Sequence, residues 1–304
     1  MKAKKFLLLL VIILLVNFTS PAILSAETGY SYVDKNNVIN KTGSRTVTPI
    51  TADSGNLANG WYVVEKDIAR IGTINISGDV TIILMDGCSL TVSGSNGAAG
   101  IAVTSGNSLT IYAQEAGTGK IITQGGQYGA GIGGNNGTAG GKVNIHGGII
   151  LATGGQNGAG IGGGNNTNAG TTTITGGTVT AKGGTNSAGI GGGTGQAYGT
   201  PTGSGGTISI SGGTVTANGS DDGAGIGGGN RGRGGFISIS GGTVTATSGD
   251  VVTSSGPAGI GGGSERQADS ILITGGTIIA RALDGGAGIG SGSYDRIGSS
   301  IEIS

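Results

Sequence analysis

Residues 223–229 read GAGIGGG, and shorter GAGIGG forms stand at residues 129–134 and 158–163. All three satisfy G-x-G-x-x-G, the turn that cradles a dinucleotide pyrophosphate at a helix N-terminus. That chemistry needs a strand before the turn, a helix after it and an acidic residue about twenty positions on. No helical period follows any copy, and residues 116–220 contain neither Asp nor Glu. No nucleotide and no other cofactor is therefore expected, and the glycine must serve architecture.

Calcium-binding glycine-rich solenoids carry repeated Asp in their turns. Here Asp221 and Asp222 form a single acidic pair, which reads as a solvated turn, and no metal is expected. Glycosidase chemistry needs two carboxylates facing each other at a set distance. Asp250, Glu265, Asp269, Asp284 and Asp295 fall in corners of different repeats and read as loop charges, so no catalytic residue is assigned. His146, the only histidine, has no acidic neighbour in sequence and reads as a surface residue. Cys88 is the only cysteine; it excludes an intrachain disulfide and reads as a small buried hydrophobe.

The richest polar file follows each AGIGG. It contains Asn135 and Asn136, Asn165 and Asn166, Tyr198, Arg231 and Arg233, Arg266, then Tyr294 and Arg296. Amides, guanidiniums and flat phenols suit sugars, whose rings stack on aromatic faces and whose hydroxyls need donors and acceptors. These ten residues are the expected ligand-binding set. The competing reading is a merely soluble, self-paired row in which Glu265 and Asp295 offset the arginines. An outward Thr-x-Thr ladder at Thr178/Thr180, Thr214/Thr216 and Thr243/Thr245 raises ice binding, although the flanking coils break it with Ile149/Leu151 and Ile279, and ordinary β-propensity explains exposed threonine equally well.

The elements that position these residues come from a long period. The isoleucines of AGIG are Ile132, Ile161, Ile190, Ile226, Ile260 and Ile289, spaced 29, 29, 36, 34 and 29 residues apart. Each unit has an alternating segment such as ISIS, a GG pair, a TVTA segment, and AGIGG. Two-residue alternation turns Ile208 and Ile210 to one side and Ser209 to the other. Val215, Ala217, Ala224 and Ile226 point inward by the same rule. With 72 glycines among 304 residues and no helical window, each unit reads as three short strands separated by corners. One unit cannot bury its inner side chains, whereas stacked units can. The expected fold is all-β, a single-stranded parallel β-helix.

Residues 1–26 read as a secretory signal peptide: Lys2, Lys4 and Lys5 precede an apolar run of 11 residues, 6–16. Roughly 18 would be needed to span a bilayer. Cleavage is expected after Ala26, with Ala22 as second choice. Residues 27–58 read as a flexible polar lead-in. Residues 59–126 read as an N-terminal cap and the first coils, with Trp61 and Tyr62 covering the end. Residues 127–304 are the glycine-rich repeats, whose last strand, SSIEIS, is followed by no cap and reads as the edge of a fragment or a shortened version. Sixteen basic and sixteen acidic residues cancel; with three lysines in the signal, the remainder is −3. That balance argues against nucleic acid and against a polybasic membrane binder.

The stretches GWYVVEKDI, GDVTIILMDGCSLTV, NSLTIYAQEAGTGKI and the iterated GAGIGGG…GTISISGGTVTA resemble glycine-rich β-helix regions of secreted Gram-positive surface proteins, often labelled carbohydrate-binding-domain-containing. They also look like relatives of the pectate-lyase-type β-helix, which implies a right-handed coil. The resemblance is specific for fold; together with the residues weighed above, the expected protein is secreted or cell-surface and non-catalytic, with an adhesion or display role and an extracellular or cell-wall polysaccharide as the partner its corner row would bind. A polysaccharide lyase or hydrolase and a purely structural spacer are the alternatives.

Overall fold

The computed structural model describes residues 29–195, 202–250, 256–293 and 300–304. Among them every element is a strand, stacked into a parallel β-helix with three faces. A typical coil has a first-face strand Lys142–Ile145, a second-face strand Ile149–Thr153 and a third-face strand Ile161–Gly162. The next coil repeats them as Thr171–Ile174, Thr178–Lys182 and Ile190–Gly191.

Register is carried from coil to coil without slip on the third face. Ile132 pairs with Ile161, Ile161 with Ile190, Ile190 with Ile226, Ile226 with Ile260 and Ile260 with Ile289. A one-residue slip would turn every inner side chain outward, so burial of these isoleucines pins the pairing. The two long copies keep this register because their extra residues fall between ladder strands in sequence. One lies between Gly191 and Thr207, the other between Thr247 and Ala258.

Alternation places the core as expected. Ile208, Ile210, Val215, Ala217, Ala224 and Ile226 are buried, and all but Ala224 join one continuous hydrophobic column that runs from Ile50 to Ile273. Each coil adds a thin slice to it, and the column needs its neighbours above and below. In Phe236–Thr247 and Ser270–Arg281 the first and second faces run on as one strand through the GG corner.

Glycine is needed at two kinds of position. The second residue of the GG corner, for example Gly213 at φ +80°, turns the chain in a conformation that side chains rarely adopt. Gly227 at φ +132° lies against the next coil, where a Cβ would strike the carbonyl oxygen of Gly261. Gly133, Gly162, Gly191 and Gly261 repeat that close approach. The match to a nucleotide fingerprint is thus a by-product of packing two backbones at one corner.

The N-terminal part departs from expectation. The sequence predicts a flexible lead-in over residues 27–58, yet residues 29–58 carry ordered strands. Ser31–Val33 and Ile39–Lys41 form an antiparallel hairpin, and Val33 pairs with Ala113 on the outside of the first face. Val47–Pro49 pairs with Gly60–Val64, and Asn56–Leu57 pairs with Ile74–Ile76, making a first coil that buries Ile50 and Leu57. Trp61 and Tyr62 therefore do not cover the end of the helix, because this coil stacks beyond them. The reason is apolar demand. Val63 and Ile83 belong to an outward column in register with Tyr112, and both are fully buried on the side where the hairpin lies. Cys88 is half-buried and packs on the rim of the core.

Candidate functional site

The file of corners after the third face is real, and its polar groups hold one coil to the next. Asn165 Nδ2 donates to Asn136 Oδ1 at 3.1 Å, across neighbouring coils. Asn135 Oδ1 accepts from the backbone N–H of Ala99 at 2.9 Å. Asn166 sits at φ +58°, a turn conformation that Asn tolerates, and its N–H donates to Thr194 O. Farther along, Arg266 Nε donates to the carbonyl of Arg231 at 2.9 Å, and Arg233 pairs with Asp269 at 3.4 Å. The asparagines form one cluster and the arginines another, two coils on. Tyr198, Tyr294 and Arg296 lie outside the described residues. Much of the hydrogen-bonding capacity that would recognise a sugar is thus committed within the protein.

The acidic pair is also engaged. Asp222 accepts from Ser264 Oγ at 2.7 Å and from Asn230 Nδ2 at 3.2 Å. Asp221 Oδ2 accepts from Ser220 Oγ and from the backbone N–H of Asn186. Both carboxylates tie turns of successive coils.

A second place, which sequence reading missed, is a groove of about 380 Å³ between the hairpin tip and the row of GG corners. Val33, Asp34, Lys35 and Asn37 form one wall. Gln114 and Glu115 close one end, His146 and Thr175 stand at the edge, and Gly147, Gly148, Gly176 and Gly177 make a floor free of side chains. The wall is rigid because Asp34 organises its own turn. Its Oδ1 accepts from the N–H groups of Asn36 and Val38, and its Oδ2 accepts from Asn40 Nδ2 at 2.9 Å. The N–H of Val38 leads in holding the Asp34 carboxyl below the usual carboxylate range, with Asn36, Asn40 and His146 acting in the same sense against desolvation.

His146 was expected to be a simple surface residue. It does point outward, but it is half-covered. Nδ1 lies 2.7 Å from Thr175 Oγ1 on the next coil, and the ring stacks on Tyr112 of the previous one. Burial pushes its pKa down; Lys35 adds to that, and Asp34 opposes it. Burial likewise raises the Tyr112 phenol, with Tyr32 and Asp34 contributing. Tyr32 on the hairpin contacts Trp61 and Tyr112 at centroid distances of 5.3 and 4.8 Å, and Arg45 lies over the Trp61 ring. This aromatic cluster clasps the hairpin to the wall and thereby forms the groove. The sequence held one clue: in the alternating strands, Tyr112 and His146 occupy the same outward column.

Comparison with known proteins agrees with this architecture. The family described as Beta helix repeat matches residues 143–165, 173–194, 208–230, 237–264 and 271–293. Each matched stretch begins at a first-face strand and reaches the corner after the third face. No curated protein and no solved structure matches the chain. The glycine-rich half of this chain is a β-helix repeat region.

Proposed function

We propose that this chain is a secreted or cell-surface β-helix protein of a Gram-positive bacterium, non-catalytic, with an adhesion or display role exercised through carbohydrate binding. The export signal read at residues 1–26 and the resemblance described above support the location. The hairpin groove carries the binding reading. At about 380 Å³ it is within the range of small-ligand sites, and its walls offer both donors and acceptors. Lys35 donates, Glu115 accepts and Asn37 carries an amide, while Gln114 commits its own amide to Ser31 and the N–H of Asp86; the glycine floor lets a pyranose ring approach backbone. Polar groups set on a rigid frame suit a neutral polyhydroxyl ligand, since little ordering is needed on binding. The corner row, where Asn135, Asn136, Asn165, Arg233 and Arg266 are paired within the protein, serves better as the seam between coils.

Glycan arrays and pull-down on isolated cell-wall polysaccharides test the reading, followed by titration calorimetry on whatever binds. Changing His146→Ala together with Glu115→Ala should weaken binding about tenfold or more, equivalent to roughly 1.4 kcal/mol. Changing Asn136→Ala together with Arg233→Ala should leave it unchanged. The reverse pattern would move the site to the corner row. No binding to any glycan would leave the spacer reading, and release of reducing or unsaturated ends from a polysaccharide would make the protein an enzyme.

A further inference from the structure

The outward side of the second face carries a feature that the groove reaches only at Thr178. Thr178 pairs with Thr214, Thr214 with Thr243, and Thr243 with Thr277, in four successive coils. Two residues on, Thr180, Thr216 and Thr245 stand in the same register, and Ile279 continues their column. The result is a two-column array of seven threonines on one sheet face. Parallel stacking sets the spacing at about 4.8 Å from coil to coil and about 6.6 Å between alternate residues along a strand.

Three observations separate this face from ordinary exposed β-structure. First, among the described residues none of the seven hydroxyls has a protein hydrogen-bond partner. On the first face some outward groups do pair, as Asn144 Nδ2 with Thr110 Oγ1 and His146 with Thr175 show. Second, no charge interrupts the two columns; Lys182 and Arg281 stand in the next column, at the rim. Third, threonine is stiff at χ1, so each position holds a methyl and a hydroxyl with few alternatives. The preceding coil extends the methyl surface with Ile149 and Leu151.

We infer that this face binds ice. Methyl groups order the water above them and regularly spaced hydroxyls anchor it, at repeats close to those of oxygen atoms on a prism face of ice. An uncharged array presents no tightly hydrated ion that would disrupt such a layer. A lattice already held rigid by the solenoid loses little entropy on meeting another lattice.

The test is incorporation of the fluorescently labelled full chain into slowly growing ice, with inhibition of ice recrystallisation as a second readout. The parent protein should enter ice, and Thr216→Lys, at the centre of the array, should lower incorporation about tenfold. Ser209→Lys, on the outward side of the first face, should not. Circular dichroism and the melting midpoint establish that both variants are folded. Exclusion of the parent protein from ice, or undiminished incorporation of a folded Thr216→Lys variant, would overturn the inference. Adsorption to crystalline cellulose or chitin without entry into ice would also overturn it and assign the face to a polysaccharide surface.

Discussion

Tyr112 and His146 stack on neighbouring coils with ring centroids 4.9 Å apart and planes 22° from parallel. Strand register puts them there: the N–H of His146 donates to the carbonyl of Ile111, which brings the two outward side chains into one column. Tyr32 on the hairpin meets the same Tyr112 ring, so this column links the solenoid wall to the segment that roofs the groove.

Docking of the hairpin should therefore weaken in acid. Burial holds His146 below its ordinary value of 6.5, so the folded state favours the neutral ring. Its contribution is fully present above that ordinary value and is lost as pH falls through the lower folded value. Asp34, also lowered, loses its contribution only at still more acidic pH, as its carboxylate protonates below the ordinary 3.8. Trp61 is the only tryptophan and lies against Tyr32, so its emission reports the change. His146→Gln should remove the first acid step and keep the second. A first step that persists in that variant would refute the assignment.

Removing the clasp should release the hairpin while the solenoid stays folded. Tyr32→Ala deletes two aromatic contacts, each worth about 0.5–1.5 kcal/mol beyond area burial. The expected outcome is a red-shifted Trp61 emission and faster proteolysis at Lys35, with an unchanged main unfolding midpoint. A large fall in that midpoint would mean the hairpin is integral to the core.

Glycine at the third-face corner should be irreplaceable. Gly227→Val combines a backbone angle of +132° with a clash against Gly261. It should destabilise by about 3 kcal/mol or more. Gly225→Val meets the backbone nitrogen of Thr247 at 2.6 Å and should behave alike. Urea midpoints equal to the parent would contradict this corner geometry.

Ile226 is fully buried between Ile190 and Ile260. Ile226→Ala should cost about 2–5 kcal/mol, since coils above and below cannot close the cavity. Ser209→Ala, on the outward side, should change stability by no more than about 0.5 kcal/mol. Equal midpoints for the two variants would argue against the inward and outward assignment.

The repeat region was legible because its rules are local. Two-residue alternation, a GG pair and a 29-residue spacing act within one coil and its neighbour, and Ile208, Val215 and Ile226 face inward as that pattern requires. Even the insertions obey it, since the added residues fall between strands in sequence and leave the ladders intact. The corner file was legible as a place but not as chemistry. Whether Asn136 greets a ligand or Asn165 depends on side-chain geometry that spacing alone does not set.

The groove could not be read from the chain. It exists because Ser31 and Gln114 meet across 83 positions, and because a hairpin in a non-repeating segment covers Val63 and Ile83. Sequence by itself determined the solenoid, since stacking identical units makes every local preference add in one direction. Tertiary structure decided the half-buried state of His146, the clasp at Tyr112 and the one pocket roofed by the hairpin. Those follow from the docking of one hairpin, and a docking that occurs once leaves no periodic signal.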